Sequence, residues 1–206
     1  MNKNLLLIHG AWCTKNSFNY ITKKILDDHV VGNISYFEYD CNVENMSSII
    51  RRAKKHLDNL NSNGLKTIIV GHSMGGLIAL RLSQRNGVHK TMTLASPIAG
   101  LKFSRILHAF LLYNSPILKD LIPDSNFIKS IHEQNYSKNP VEIYISTSGY
   151  NPMIFEDSDG VIPIETQTSW RPDNAKIVKV KTNHSEILQS TKVILAIEKS
   201  LNEKDE

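Results

Sequence analysis

The sequence predicts an α/β fold: a mostly parallel six-stranded sheet flanked by helices, with one helical insertion. Three observations point there. Short apolar runs of strand length alternate with amphipathic stretches of helical period along most of the 206 residues. No internal repeat, low-complexity tract or linker divides the chain, so residues 1–206 read as a single domain. One segment breaks the rhythm, roughly forty residues between two strand candidates, well beyond an ordinary connection. Strand, helix and strand in succession give a parallel sheet covered on both faces, and right-handed crossovers bring the strand C-terminal ends to one edge.

The first strand is expected at residues 4–9. Its apolar run, 5–8, is too short for a secretory core or a membrane span, which predicts a mature, soluble, cytoplasmic chain without stable membrane insertion. Further strands are expected at 34–39, 67–71, 91–95, 141–147 and 176–180, with amphipathic helices at 17–28, 44–61, 74–85 and 185–201. In the second helix Met46, Ile49, Ile50, Ala53, Leu57 and Leu60 recur at helical spacing, so Arg51, Arg52, Lys54, Lys55 and His56 read as its solvated face. A net charge of +4 spread this way does not indicate a nucleic-acid partner. The insertion, 100–140, is dense in Leu, Ile and Phe and punctuated by Pro116 and Pro123; leaving a strand's C-terminal end, it is expected to form a helical cap. Cys13 and Cys41 form no CxxC or Cys/His cluster, so no metal and no disulfide framework is expected.

The chemistry is carried first by Val70-Gly71-His72-Ser73-Met74-Gly75-Gly76, where a β run enters G-x-S-x-G and continues into a helix. A serine on so sharp a turn projects its hydroxyl above the sheet, and side chains at Gly71 and Gly75 would clash there. A nucleophilic serine needs a base, and the base needs an orienting acid. Of eight histidines, His184 alone follows the last strand in a loop that opens on the same edge as Ser73. His29, His56 and His89 read as surface residues, His72 should point away from the serine, His108 lies in the insertion, and His132 is a fallback base. The acid is expected at Asp159, in the tight turn Asp159-Gly160-Val161-Ile162-Pro163, with Asp157 and then Glu156 as competitors. Backbone N–H groups of Met74, at the helix start, and Ala11, after the first strand, are expected to face a developing oxyanion.

With His9-Gly10, Gly71-His72-Ser73-Met74-Gly75, Asp159 and His184 in this order, the chain resembles the α/β-hydrolase superfamily. More narrowly it is similar to compact bacterial triacylglycerol lipases and esterases, which share the Gly-His-Ser-Met-Gly-Gly elbow, an Asp in a D-x-V-x-P turn and a Ser-Pro, here Ser96-Pro97. The resemblance implies a compact α/β-hydrolase fold and a serine hydrolase that cleaves small-molecule esters or lipids through an acyl-enzyme on Ser73, without cofactor. Acyltransferase or thioesterase chemistry on the same triad, or a non-catalytic ligand-binding role, are the alternatives. Trp12, Phe103, Phe110 and Phe127 are the expected substrate-binding residues. One departure is Ser185-Glu186 after His184, where many relatives carry a glycine or a small apolar pair.

Overall fold

The computed structural model describes residues 3–27, 31–101, 116–154 and 156–204. Six strands, β1 (Lys3–Ile8), β2 (Val31–Phe37), β3 (Thr67–His72), β4 (Val88–Leu94), β5 (Val141–Ser146) and β6 (Lys176–Val180), form one sheet in the order β2-β1-β3-β4-β5-β6. Every neighbouring pair is parallel, with Leu7 opposite Val70 and Ile143 opposite Ile177. The described residues hold seven α-helices: α1 (Asn19–Asp27), α2 (Met46–Asn61), α3 (Met74–Leu82), α4 (Pro116–Asp120), α5 (Asn126–His132), α6 (Ile164–Thr168) and α7 (Thr191–Asn202).

Both faces of the central strands are buried, which is why β1 and β3 read as apolar runs rather than alternating ones. Side chains still alternate. Leu6, Ile8, Ile69 and Ile143 join α2, α3, α4 and α5 in one core, and Leu5, Leu7, Ile68 and Val70 join α1 and α7 in the other. Asn45 caps α2 by accepting from the Ser48 N–H at 2.9 Å. On that helix Arg51, Arg52 and Lys55 are exposed, and Arg52 pairs with Glu44.

Several boundaries differ from expectation, three of them for a visible reason. β2 begins at Val31, ahead of residue 34, because an edge strand tolerates Gly32 and Asn33, which carry no strand signal. β4 begins at Val88 because His89 and Lys90, polar residues that hide its pattern, both reach Glu203, at 3.1 and 2.8 Å. The last helix begins at Thr191, since Ser190 is extended (φ −69°, ψ 120°) and separates it from a 3-10 turn over Glu186–Gln189. Of the insertion, residues 102–115 lie outside the described residues, and with them Phe103, His108 and Phe110; so does His29. Its described part packs Ile117, Leu118, Leu121, Ile128 and Ile131 into the core. Among the described residues no helix is long and apolar enough to cross a membrane.

Candidate active site

Between β3 and α3 the chain reverses through Ser73, whose φ of 53° and ψ of −124° lie where L-residues go only under constraint. The constraint is visible on both sides. The Ser73 N–H donates to the Leu94 carbonyl at 2.8 Å, and a Cβ on Gly75 would stand 2.2 Å from the Ile8 carbonyl oxygen. The first turn of α3 therefore lies backbone-to-backbone on the end of β1, which brings the serine beside the loop that starts at Gly10.

That loop is held by His9. The His9 Nε2 accepts from the Tyr39 N–H at 3.4 Å, so its Nδ1 carries the proton and donates to the Gly10 carbonyl at 2.7 Å. Tyr39 stacks on the ring at 4.4 Å and donates its hydroxyl to the His9 carbonyl. In a trans peptide the N–H points opposite the carbonyl, so pinning the Gly10 oxygen also orients the Ala11 N–H. The N–H groups of Ala11 and Met74 make no hydrogen bond among the described residues.

Asp159 is 1% exposed, in the turn before α6. Its Oδ1 accepts from the N–H groups of Val161 at 3.0 Å and Ile162 at 2.7 Å; its Oδ2 accepts from Gln167 Nε2 at 3.2 Å and from His184 Nδ1 at 2.7 Å. The His184 N–H also donates to the Asp159 carbonyl at 2.9 Å. Because a carboxylate only accepts, the His184 proton sits on Nδ1 and leaves the Nε2 lone pair free. Ser73 and His184 line one cavity of about 350 Å³ with Gly10, Ala11, Trp12 and Met74; Pro97, Leu101, Leu118, Leu121 and Ile162 form an apolar wall. The pair of imidazole and carboxylate can accept a proton from a hydroxyl and stabilise the cation that results.

The family model described as serine aminopeptidase, S33, matches residues 37–149, more than half of the chain and inclusive of Ser73. The chain belongs to this family of α/β-hydrolases. The match ends before Asp159 and His184, so their pairing rests on the geometry above. Among solved structures this S33 hydrolase superposes on Bacillus licheniformis lipase BlEst2 in mature form with a TM-score of 0.73 and 15% identity, over 97% of this chain and 92% of that one. Paleococcus ferrophilus monoacylglycerol lipase gives 0.67 and 14%, over 96% and 93%. A soluble variant of the Saccharomyces cerevisiae monoglyceride lipase, in complex with a substrate analog, gives 0.64 and 14%, over 98% and 86%. At such identities the likeness is one of fold. No curated protein sequence matches the chain.

Other sequence expectations fare differently. Trp12 lies on the cavity rim, 58% exposed, at φ 53°. Phe127 does not line the cavity: the register of α5 turns Ile128 and Ile131 inward and leaves Phe127 in a separate groove beside Ile50 and Arg81. Asp157 and Glu156 are exposed. His132 stacks on Trp170 at 4.2 Å and reaches the Ile98 carbonyl, away from the cavity. His56 is half-buried against Ser35, and His89 meets Glu203, so neither is a plain surface residue. Two further residues have a place beside Asp159 and His184. Gln167, on the short helix α6, carries no motif. His72, expected to point away from Ser73, reaches the His184 loop, with the two rings 4.8 Å apart.

Proposed function

We propose that this S33 hydrolase cleaves carboxylic esters through an acyl-enzyme on Ser73. The observation that carries the reading is the hydrogen-bonded Asp159–His184 pair opening on the same apolar cavity as a strained serine. In the reaction the Ser73 hydroxyl attacks the ester carbonyl carbon while His184 Nε2 takes its proton. The oxyanion is held by the N–H groups of Ala11 and Met74, and the alcohol leaves with the proton from His184. Water, activated by the same imidazole, then attacks the acyl-enzyme and releases the acid and free Ser73. Asp159 keeps the imidazole in its tautomer and stabilises its charge without taking a proton.

The choice of ester over peptide rests on the cavity wall. An aminopeptidase has to bind the ammonium of its substrate's N-terminus, for which a carboxylate is the natural partner. Among the described residues no Asp or Glu side chain lines this cavity, and residues 102–115 contain neither. Leu101, Leu118 and Leu121 instead favour an acyl chain, and we assign α4 to a cap over the site.

The test is a panel of p-nitrophenyl esters from acetate to palmitate, with aminoacyl p-nitroanilides alongside and a fluorophosphonate label. Turnover of esters, with both turnover and label lost in Ser73→Ala, is expected. Preferential turnover of the anilides would make the chain a peptidase. A folded protein that neither turns over nor takes the label would be a binding protein.

A further inference from the structure

We infer that His72 is a positioning residue for His184, its ring Nε2–H tying the turn that carries the serine to the loop that carries the imidazole. The inference rests on the proposed role of His184 as the base. His72 is 3% exposed, and its Nε2 lies 2.8 Å from the His184 carbonyl oxygen. A carbonyl only accepts, so Nε2 is the protonated nitrogen.

The remaining nitrogen makes the case. His72 Nδ1 is buried and has no hydrogen-bond partner among the described residues. Filling this space with an apolar side chain would avoid an unsatisfied nitrogen, so packing alone does not call for histidine. What an apolar side chain could not supply is the bond to His184. That bond also differs in kind from the other two that fix His184. The N–H of His184 and its Nδ1 both go to Asp159, on the acid's own turn. Those two bonds set the imidazole relative to the carboxylate; the His72 bond sets the His184 backbone relative to β3, and so relative to Ser73. Productive proton transfer demands that this separation be right, and a misplacement of about 1 Å can cost 10²-fold.

The ring is suited to the task because it stays neutral. Burial, with the nearby His184 charge adding to it, lowers the His72 pKa to about 4. A second cation 4.8 Å from His184 would oppose the imidazolium that forms during attack; a neutral donor does not.

The experiment has two arms. In the wild-type protein without substrate, ¹⁵N shifts of the His72 ring should report a protonated Nε2 and a bare Nδ1 throughout the range in which the protein is folded above about pH 5. A ring of the opposite tautomer, or one that titrates there, overturns the inference. The second arm compares His72→Gln and His72→Met, nearly equal in size, of which only Gln offers a donor. With p-nitrophenyl butyrate, His72→Met should lose about tenfold to a hundredfold in kcat with KM within about twofold, and its His184 Nδ1–H resonance should shift or broaden. His72→Gln should recover most of both. Equal kcat in the two variants, or an unchanged His184 resonance in His72→Met, overturns the inference. Absence of Ser73-dependent turnover in the parent protein would instead defeat the ester-hydrolase reading, and the resonance arm would still decide whether His72 holds His184.

Discussion

Asp159 receives four hydrogen bonds on its two side-chain oxygens, two from its own turn, one from Gln167 and one from His184. Asp157, two residues earlier, is exposed and accepts on its main-chain carbonyl from the Ile164 N–H. Replacing Asp159 by Asn puts an amide where the imidazole proton needs an acceptor, so kcat on a p-nitrophenyl ester should fall by about 10³–10⁴-fold. Asp157→Asn should stay within about twofold; the reverse pattern in steady-state kinetics would move the acid to Asp157. At this scale turn chemistry made Asp159 legible, because Asp-Gly-Val-Ile-Pro encodes a turn that folds on its own carboxylate. Gln167 and His72 were not legible, since no local motif encodes either contact: Gln167 reaches back from the following helix to Asp159, and His72 reaches a carbonyl 112 residues away.

Elements meet at this site through close backbone approach. A Cβ on Gly75 would press on the carbonyl oxygens of Ile8 and His9 at 2.2 and 2.4 Å, both backbone atoms that cannot give way cheaply. Gly75→Ala should therefore cost about 2–4 kcal/mol in urea unfolding, near the upper end of single-residue effects. Gly64→Ala, at φ +79° but in open space, should cost only about 1 kcal/mol. The proposed cap makes a second prediction. If Leu121 on the cavity wall contacts the acyl chain, Leu121→Ala should flatten the rise in kcat/KM from acetate to octanoate by roughly fivefold or more, given about 0.8 kcal/mol per buried CH₂. Phe127→Ala, in its separate groove, should keep the parent's slope. Equal slopes in both variants, measured per titrated active serine, would return α4 to a structural role. The central strands were legible as apolar runs, since both their faces are buried, and their parallel pairing followed from the alternation with helices. The polar start of β4 was not legible, because His89 and Lys90 satisfy themselves on Glu203, a partner near the other end of the chain.

Over the whole molecule, parallel strands separate two chemistries onto opposite edges of the sheet. The C-terminal edge carries Ala11, Ser73, Asp159 and His184; the N-terminal edge carries an ion cluster of Lys90, Lys176, Glu142 and Glu203, with Lys3 bonded to the Glu203 carbonyl. The two edges respond to acid in different windows. His72, beside His184 and within the electrostatic reach of Asp159 and His9, is lowered by burial and by the His184 charge from 6.5 to about 4. As pH falls below 6.5 the unfolded chain binds this proton and the folded one does not, so stability declines until about pH 4. Glu203 is a carboxylate whose burial penalty is outweighed by its bonds to Lys90 and His89, leaving its pKa below 4.5. Its contribution is present above 4.5 and is lost only as pH falls through that lower value. Between pH 7 and 4.5, then, the His72 part stands apart from that of Glu203. At 1.36 kcal/mol per tenfold it amounts to about 2 kcal/mol. Urea unfolding at the two pH values should therefore show the wild-type protein losing about 2 kcal/mol more than His72→Gln over that interval. Equal losses would mean that the His72 ring accepts its proton in the folded protein as readily as in the unfolded one, and so is not held neutral against His184.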